Sequence, residues 1–235
     1  MPEKYFQRLK TAAIEKQSHR DYFNIAVSVD CVIFGYDEKK LKVLLIKSDL
    51  KEFKGLYSLL GDLVRPDEDL DVASYRILTE RTGLDDVFLD QVHTFGAIGR
   101  HPSGRVITTA YYSLIDIKNH KLNLSNNELH WHAVDEIKEL AFDHKEILDI
   151  CLAQLREQIM DHPVIFNLLP EKFSLRELQD VYQAILGLTL DRRNFRKKIS
   201  LKGWLHPLDE MEADVPHRPG QLYRLKSSGK RKLKK

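Results

Sequence analysis

The sequence predicts an α/β architecture in which a mixed α/β sandwich is followed by a winged helix-turn-helix. Three observations lead there. Within the first 160 residues, apolar runs of strand length surround one or two helical segments, a succession that packs as helices on a mixed sheet. After Asp161-His162-Pro163 the pattern changes to a capped helix, a tight turn and a basic helix, followed by two short strand candidates. The charge changes at the same place. From His162 onward there are 16 Lys plus Arg against 8 Asp plus Glu, or +8, while the preceding part carries 21 against 27, or −6. An acidic front and a basic back point to different partners for the two parts.

Composition sets the outer bounds. With 43% hydrophobic and 31% charged residues the chain has the make-up of a globular protein with a sizeable core, which argues against wholesale disorder. Cys31 and Cys151 sit in separate apolar runs and read as reduced core residues of a cytoplasmic protein. No apolar run reaches transmembrane length and the N-terminus has no hydrophobic signal core, so no membrane partner is expected.

Residues 1 to about 20 carry Tyr5, Phe6, Leu9, Ala12, Ala13 and Ile14 at helix-like spacing. Ile25 to Phe34 reads as a buried strand, Gly35-Tyr36-Asp37-Glu38 as a turn, and Leu41 to Lys47 as the hairpin partner. The stretch Leu59 to Leu84 reads as loop, helix, loop: Gly61 in the first loop, Pro66 and acidic residues at the helix start, Gly83 at its end. Val87 to Ile98 and Val106 to Ile117 are further strand candidates, joined by Gly99 to Arg105. Trp131 to Val134 follows as a short strand, and Phe142-Asp143-His144 leads into a helix that runs to about Met160. The loop Arg100 to Arg105 holds two arginines and a histidine, groups suited to a phosphate or polyhydroxylated ligand, although most loops of this composition are solvated turns. His93 and His144 read as surface or packing histidines, because no second histidine or cysteine stands at metal-ligand spacing.

In the basic part, Ser174 and Glu177 form a capping box before Leu175, Leu178, Val181, Tyr182 and Ile185, and Gly187 stops that helix. Asp191 caps a second helix, in which Phe195 and Ile199 lie four apart and face inward. Arg192, Arg193, Asn194, Arg196, Lys197 and Lys198 remain outside. Arg and Asn read guanine and adenine edges and Lys neutralises phosphates, so these six residues are the expected contacts to double-stranded DNA. The plainer alternative is a solvated basic helix. Trp204 to Leu208 and Gln221 to Lys226 would make the wing, and Lys230 to Lys235 a basic tail. The expected division is 1–160, 161–227 and 228–235.

The Leu59 to Leu84 stretch resembles the box of Nudix hydrolases, in which a glycine, a glutamate and an Arg-Glu-x-x-Glu-Glu helix segment bind divalent metal and cleave nucleoside diphosphate derivatives. With Gly83 and Leu84 as the end of the box, Arg76 and Glu80 fall on family positions and Glu68 on the upstream glutamate. The box glycine falls on Asp62, and two of the three helical glutamates fall on Ile77 and Arg81. Positions 77, 80 and 81 share a helix face on which three carboxylates could surround a hard cation. At about 4 Å and an effective dielectric near 20, Arg81 would instead repel a divalent ion by roughly 8 kcal/mol. The expectation is a retained scaffold with no catalytic residue, no metal and no cofactor. Without the resemblance, Glu68, Arg76 and Glu80 would read as surface charges.

The whole succession, with Phe-Ser-Leu-Arg-Glu-Leu-Gln and Asp-Arg-Arg-Asn-Phe-Arg-Lys-Lys after the box, resembles the Nudix-related bacterial regulators of the NrtR type. That resemblance implies an α/β/α Nudix sandwich that senses an effector, a winged helix that binds operator DNA, and a homodimer. The effector it implies is ADP-ribose-like or a pentose sugar, and Val29 to Gly35 with Phe95-Gly96-Ala97-Ile98 look more like the sugar-responsive branch. Glu68, Arg76, Glu80, Arg100, His101 and Arg105 are the effector-binding candidates. The runner-up is a metal-dependent Nudix hydrolase with an attached nucleic-acid-binding domain.

Overall fold

A computed structural model describes residues 24–85, 87–118, 122, 129–213, 215–216 and 218–226. The N-terminal helical pattern and the basic tail lie outside the described residues. Two long strands, β1 (Ala26–Asp37) and β2 (Lys40–Lys47), form the hairpin on which the front half is built. Its turn lies later than the glycine suggests. Glu38 and Lys39 make a two-residue connection with φ of 50° and 62°, the paired left-handed conformation that matches the twist of the strands. Gly35 stays inside β1, opposite Lys42, because a Cβ there would come within 2.5 Å of Ile117 and 2.9 Å of Trp131. The glycine thus serves close packing, not the turn.

Around the hairpin lie β3 (Tyr57–Ser58), β4 (Leu60–Leu63), β5 (Asp90–Phe95), β6 (Val106–Ile115) and β7 (Leu129–Ala133). They form a seven-stranded sheet with the path β3-β2-β1-β6-β5, from which β4 pairs with β1 and β7 with β2. It is a mixed sheet: β6 runs parallel to β1 from Ala26 opposite Val106 to Gly35 opposite Ile115, and the other pairs are antiparallel. β5 is shorter at both ends than the apolar run around it, and its register shifts between Gln91 and His93.

Alternation along β1 and β2 sends side chains to two faces, and one helix covers each. On one side α1 (Leu70–Thr82) buries Ala73, Ile77 and Leu78 against Val29, Cys31 and Ile33. Asp69 caps it by accepting from the Val72 amide at 2.8 Å, and Gly83 ends it at φ 74°. On the other side α2 (His144–Asp161) buries Ile147, Leu148, Cys151, Leu155 and Ile159 against Val32, Phe34, Val43 and Leu45. Both cysteines are buried and free, and burial pushes the Cys151 thiol up to about 12.

The second core does not stop at α2. It continues into α3 (Leu175–Leu186) through Leu178, Val181 and Ile185, and into α4 (Arg192–Lys202) through Phe195 and Ile199. The Ser174–Glu177 capping box is formed in both directions, and Gly187 ends α3 in the left-handed region at φ 69°. β8 (Phe173–Ser174), β9 (Leu205–Met211) and β10 (Gln221–Leu225) make a separate sheet in the order β8-β10-β9, the wing. Among the described residues no helix is long and apolar enough to cross a membrane.

Candidate functional site

A cleft of about 310 Å³ opens where the start of β1, β4 and the loop before α2 meet. Its floor is charged and buried. Asp30, the one acidic residue within the apolar run of β1, is 5% exposed and accepts from the Thr108 hydroxyl at 2.7 Å. Arg100 lies 3.6 Å from the same carboxylate and donates twice to Asp143, from Nε and Nη2, each at 2.7 Å. His144 brings Nε2 to 3.5 Å from Asp30 Oδ1, while its Nδ1 accepts the Leu59 amide at 3.0 Å. That second bond fixes the tautomer, leaving the proton on Nε2 facing Asp30. Burial is the main cause holding the His144 pKa below its ordinary value, so the ring is neutral near pH 7.

Sequence placement explains why these groups meet. Gly61 on β4 lies opposite Asp30, and a Cβ there would sit 2.0 Å from the carboxylate, so only glycine admits Asp30 at this point. Phe142 precedes α2 at φ 55°, a strained conformation for a bulky residue. Its ring packs on His101 at 5.0 Å, on His144 at 4.8 Å and on Phe53 at 4.4 Å, which gives the cleft an aromatic wall. Lys47, Arg81, Asp49 and Asp62 also line it. A concave site with buried charge, an aromatic wall and mixed-sign lining suits a polar ligand carrying hydroxyls or phosphates.

Of the six effector candidates read from the sequence, Arg100 and His101 line this cleft. Arg105 instead braces the preceding loop, donating to the Gly96 and Ala97 carbonyls at 2.7 and 3.0 Å. Glu68, Arg76 and Glu80 come together outside the cleft lining. Arg76 donates to both Glu68 oxygens, at 2.6 and 2.8 Å, to Glu80 at 3.2 Å and to the Leu63 carbonyl at 3.0 Å. Arg65 takes the other Glu80 oxygen at 3.2 Å. The Arg76 hydrogen bonds hold the Glu68 carboxyl down to about 2. This network ties the β4–α1 loop to α1.

The donor set does not fit the divalent metal of a Nudix hydrolase. Ile77 is buried in the core, Arg81 reaches the cleft, and the remaining carboxylate, Glu80, is shared by two arginines. Among the described residues no group of three or more His, Cys, Asp or Glu is placed to hold a metal ion.

The reading of the sequence missed Asp30, Phe142, His144 and Arg81 as cleft residues, and Asp143 as the partner of Arg100. One signal was present: an aspartate inside an otherwise apolar strand is costly to bury without a partner. The partners themselves were not visible, since they come from elsewhere in the chain.

The basic helix shows the predicted division of faces. Arg192, Arg193, Asn194, Arg196, Lys197 and Lys198 are all exposed, whereas Phe195 and Ile199 are buried, Phe195 packing edge-on to Tyr182 at 5.3 Å. Asp191 caps α4 by accepting from the Asn194 amide at 2.8 Å. The wing follows it in the chain from Leu205, with β10 packed against α3.

Residues 24–151 match the family model of the NUDIX domain, and residues 165–225 match that of the NrtR DNA-binding winged helix domain. The chain belongs to the NrtR-type Nudix family. It is 31% identical over 218 residues to an ADPR responsive transcriptional repressor NtrR of Acinetobacter baylyi, covering 91% of this chain and 87% of that one. Shewanella oneidensis NrtR, crystallised with a 27mer DNA, superposes with a TM-score of 0.76 at 28% identity, over 85% of this chain and 93% of that one. A MutT/nudix family protein from Enterococcus faecalis shares the fold, with a TM-score of 0.70 at 22% identity over 96% and 94% of the two chains. The order of an NrtR-type chain, sensor fold first and winged helix second, is thus that of the sequence reading.

Proposed function

We propose that this NrtR-type protein is a transcriptional repressor that lays α4 in the major groove of operator DNA and is controlled by an ADP-ribose-like effector held in the Asp30–Arg100 cleft. The observation that carries the DNA half is α4 itself: Arg192, Arg193, Asn194, Arg196, Lys197 and Lys198 are exposed on a helix that Phe195 and Ile199 lock into the core. The related Shewanella protein in complex with DNA supports it. The effector half is supported by the responsiveness to ADPR of the Acinetobacter relative, together with a cleft that offers Arg100, His101 and Arg81 to phosphates and Asp30 to hydroxyls. In this reading residues 1–160 are the sensor, 161–227 the DNA-binding part and 228–235 a tail that adds non-specific phosphate attraction. The protein acts in the cytoplasm, where bacterial DNA lies.

A homodimer belongs to the same proposal. Two α4 helices one DNA turn apart, roughly 34 Å, would require a pseudo-palindromic operator. The test is a calorimetric titration with ADP-ribose and with arabinose, paired with footprinting on duplexes selected by the protein from a random pool. ADP-ribose binding that Arg100→Gln weakens, with a two-fold symmetric footprint, is the expected result. Binding of arabinose alone would move the effector to the sugar class. A single asymmetric half-site would end the dimer reading.

A further inference from the structure

α2 joins the two functional regions. Its first residue, His144, stands in the cleft floor facing Asp30, and Asp143 just before it is bonded to Arg100, another lining residue. Its 18 residues span about 27 Å, and its far end holds the winged helix. Arg156 donates to the Ile185 carbonyl at the end of α3, the Ile159 carbonyl accepts the Tyr182 hydroxyl, and Asp161 pairs with Lys202 of α4 at 2.9 Å.

The cleft end of α2 is held away from an ordinary helix start. Asp143 occupies the N-cap position, yet its side chain makes no capping bond, and its ψ of 19° lies outside the extended region a capping residue adopts. Both carboxylate oxygens are taken by Arg100 instead. The residue before it, Phe142, is the strained one at φ 55°. One carboxylate therefore has two competing uses: pairing with Arg100 beside the cleft, or capping the helix that carries the winged domain. Two discrete arrangements of one group, biased by what else Arg100 can bind, are the physical requirement for coupling between sites.

We infer that Asp143 is the relay between the cleft and the DNA-binding helices. An anionic group in the cleft draws the Arg100 guanidinium to itself; the freed Asp143 carboxylate rotates to cap α2; and the re-seated first turn moves α2 against α3 and α4. This rests on the effector reading of the cleft for its trigger, but the relay itself can be set by mutation without any ligand.

The experiment uses the full chain and hydrogen exchange on three variants, with and without ADP-ribose. Asp143→Asn keeps a capping side chain and loses the charge that holds Arg100. Arg100→Gln leaves Asp143 without its guanidinium partner. Asp143→Ala removes cap and partner together. Ligand-free Asp143→Asn and Arg100→Gln are expected to protect the Lys145 and Glu146 amides by about fivefold over the native chain, the factor equivalent to an N-cap of ~1 kcal/mol. The same two variants are expected to shift exchange in 175–202 and to change affinity for selected duplexes in the same direction. Asp143→Ala shows no such protection. A merely structural ion pair would instead loosen α2 in all three variants, and that result overturns the relay. In the native chain ADP-ribose is expected to reproduce the Asp143→Asn pattern and to change duplex affinity by a factor on the order of 5–150. If ADP-ribose fails to bind while Asp143→Asn and Arg100→Gln behave as stated, the effector assignment falls and the relay stands. If ADP-ribose binds and those two variants keep the full native response, the relay falls and the effector assignment stands.

Discussion

Replacing Gly61 by Ala tests whether the cleft floor is held as tightly as its geometry implies. The added Cβ would lie 2.0 Å from Asp30 Oδ1 and 2.9 Å from the Val29 carbonyl oxygen. The second contact is backbone within a paired strand, so the relief must come from Asp30. That carboxylate cannot swing freely, because Thr108 donates to its other oxygen at 2.7 Å and Arg100 and His144 stand around it. Overpacking a rigid site costs about 1–3 kcal/mol, and breaking a hydrogen bond to a charged group adds about 1.5–3 kcal/mol. At about 2–4 °C per kcal/mol for a chain of this size, the combined loss is a melting temperature lower by roughly 5–20 °C. Gly96→Ala is the control: nothing lies closer than 3.9 Å to the position its added methyl would take and its φ is ordinary for an L residue, so it should melt like the native chain. The assay is a thermal melt of both variants, followed by ADP-ribose titration below the transition. Gly61→Ala is expected to melt lower and to bind ADP-ribose more weakly. If it matched Gly96→Ala in both measurements, Asp30 would not be fixed, and the account of the cleft floor would fail.

Three further outcomes are expected. Asn194→Ala should weaken binding to a selected operator by about 1–3 kcal/mol and hardly affect a scrambled duplex; an unchanged ratio would show that this residue does not read bases. Glu68, held at about 2 by Arg76, contributes stability above the ordinary glutamate value of about 4.3, and this contribution is lost as pH falls from there through about 2. Glu68→Gln should therefore flatten the acid side of the stability profile in that window, and a denaturation series at constant ionic strength reads it. Incubation of ADP-ribose with magnesium or manganese should give no turnover, because Glu80 is shared by Arg65 and Arg76; ordinary enzymatic rates abolished by Glu80→Gln would reverse this reading.

Features made by neighbours in the chain were legible from the sequence alone. The Ser174–Glu177 capping box, the Asp191 cap, the Gly187 stop and the inward pair Phe195 and Ile199 all depend on residues three or four apart, where helix geometry leaves little choice. The exposed basic face of α4 followed from the same spacing, whereas the departures at Ile77 and Arg81 were legible only against the Nudix box that the stretch resembles. Periodicity also located β1 and β2, but a glycine misplaced their turn, because Gly35 answers to Ile117 and Trp131, which pack on it from elsewhere. The cleft lay beyond this reach. Asp30 meets Thr108 across 78 residues, Leu59 meets His144 across 85, and Arg100 meets Asp143 across 43. The parallel pairing of β1 with β6 and the placing of α2 over the sheet bring them together. Glu68, Arg76 and Glu80, by contrast, were found as a group but not in the cleft, since their charges satisfy one another along the α1 surface. Local spacing determines which helix faces outward and with what charge; which buried charges become partners is decided by strand order and helix packing, which no short stretch of sequence encodes.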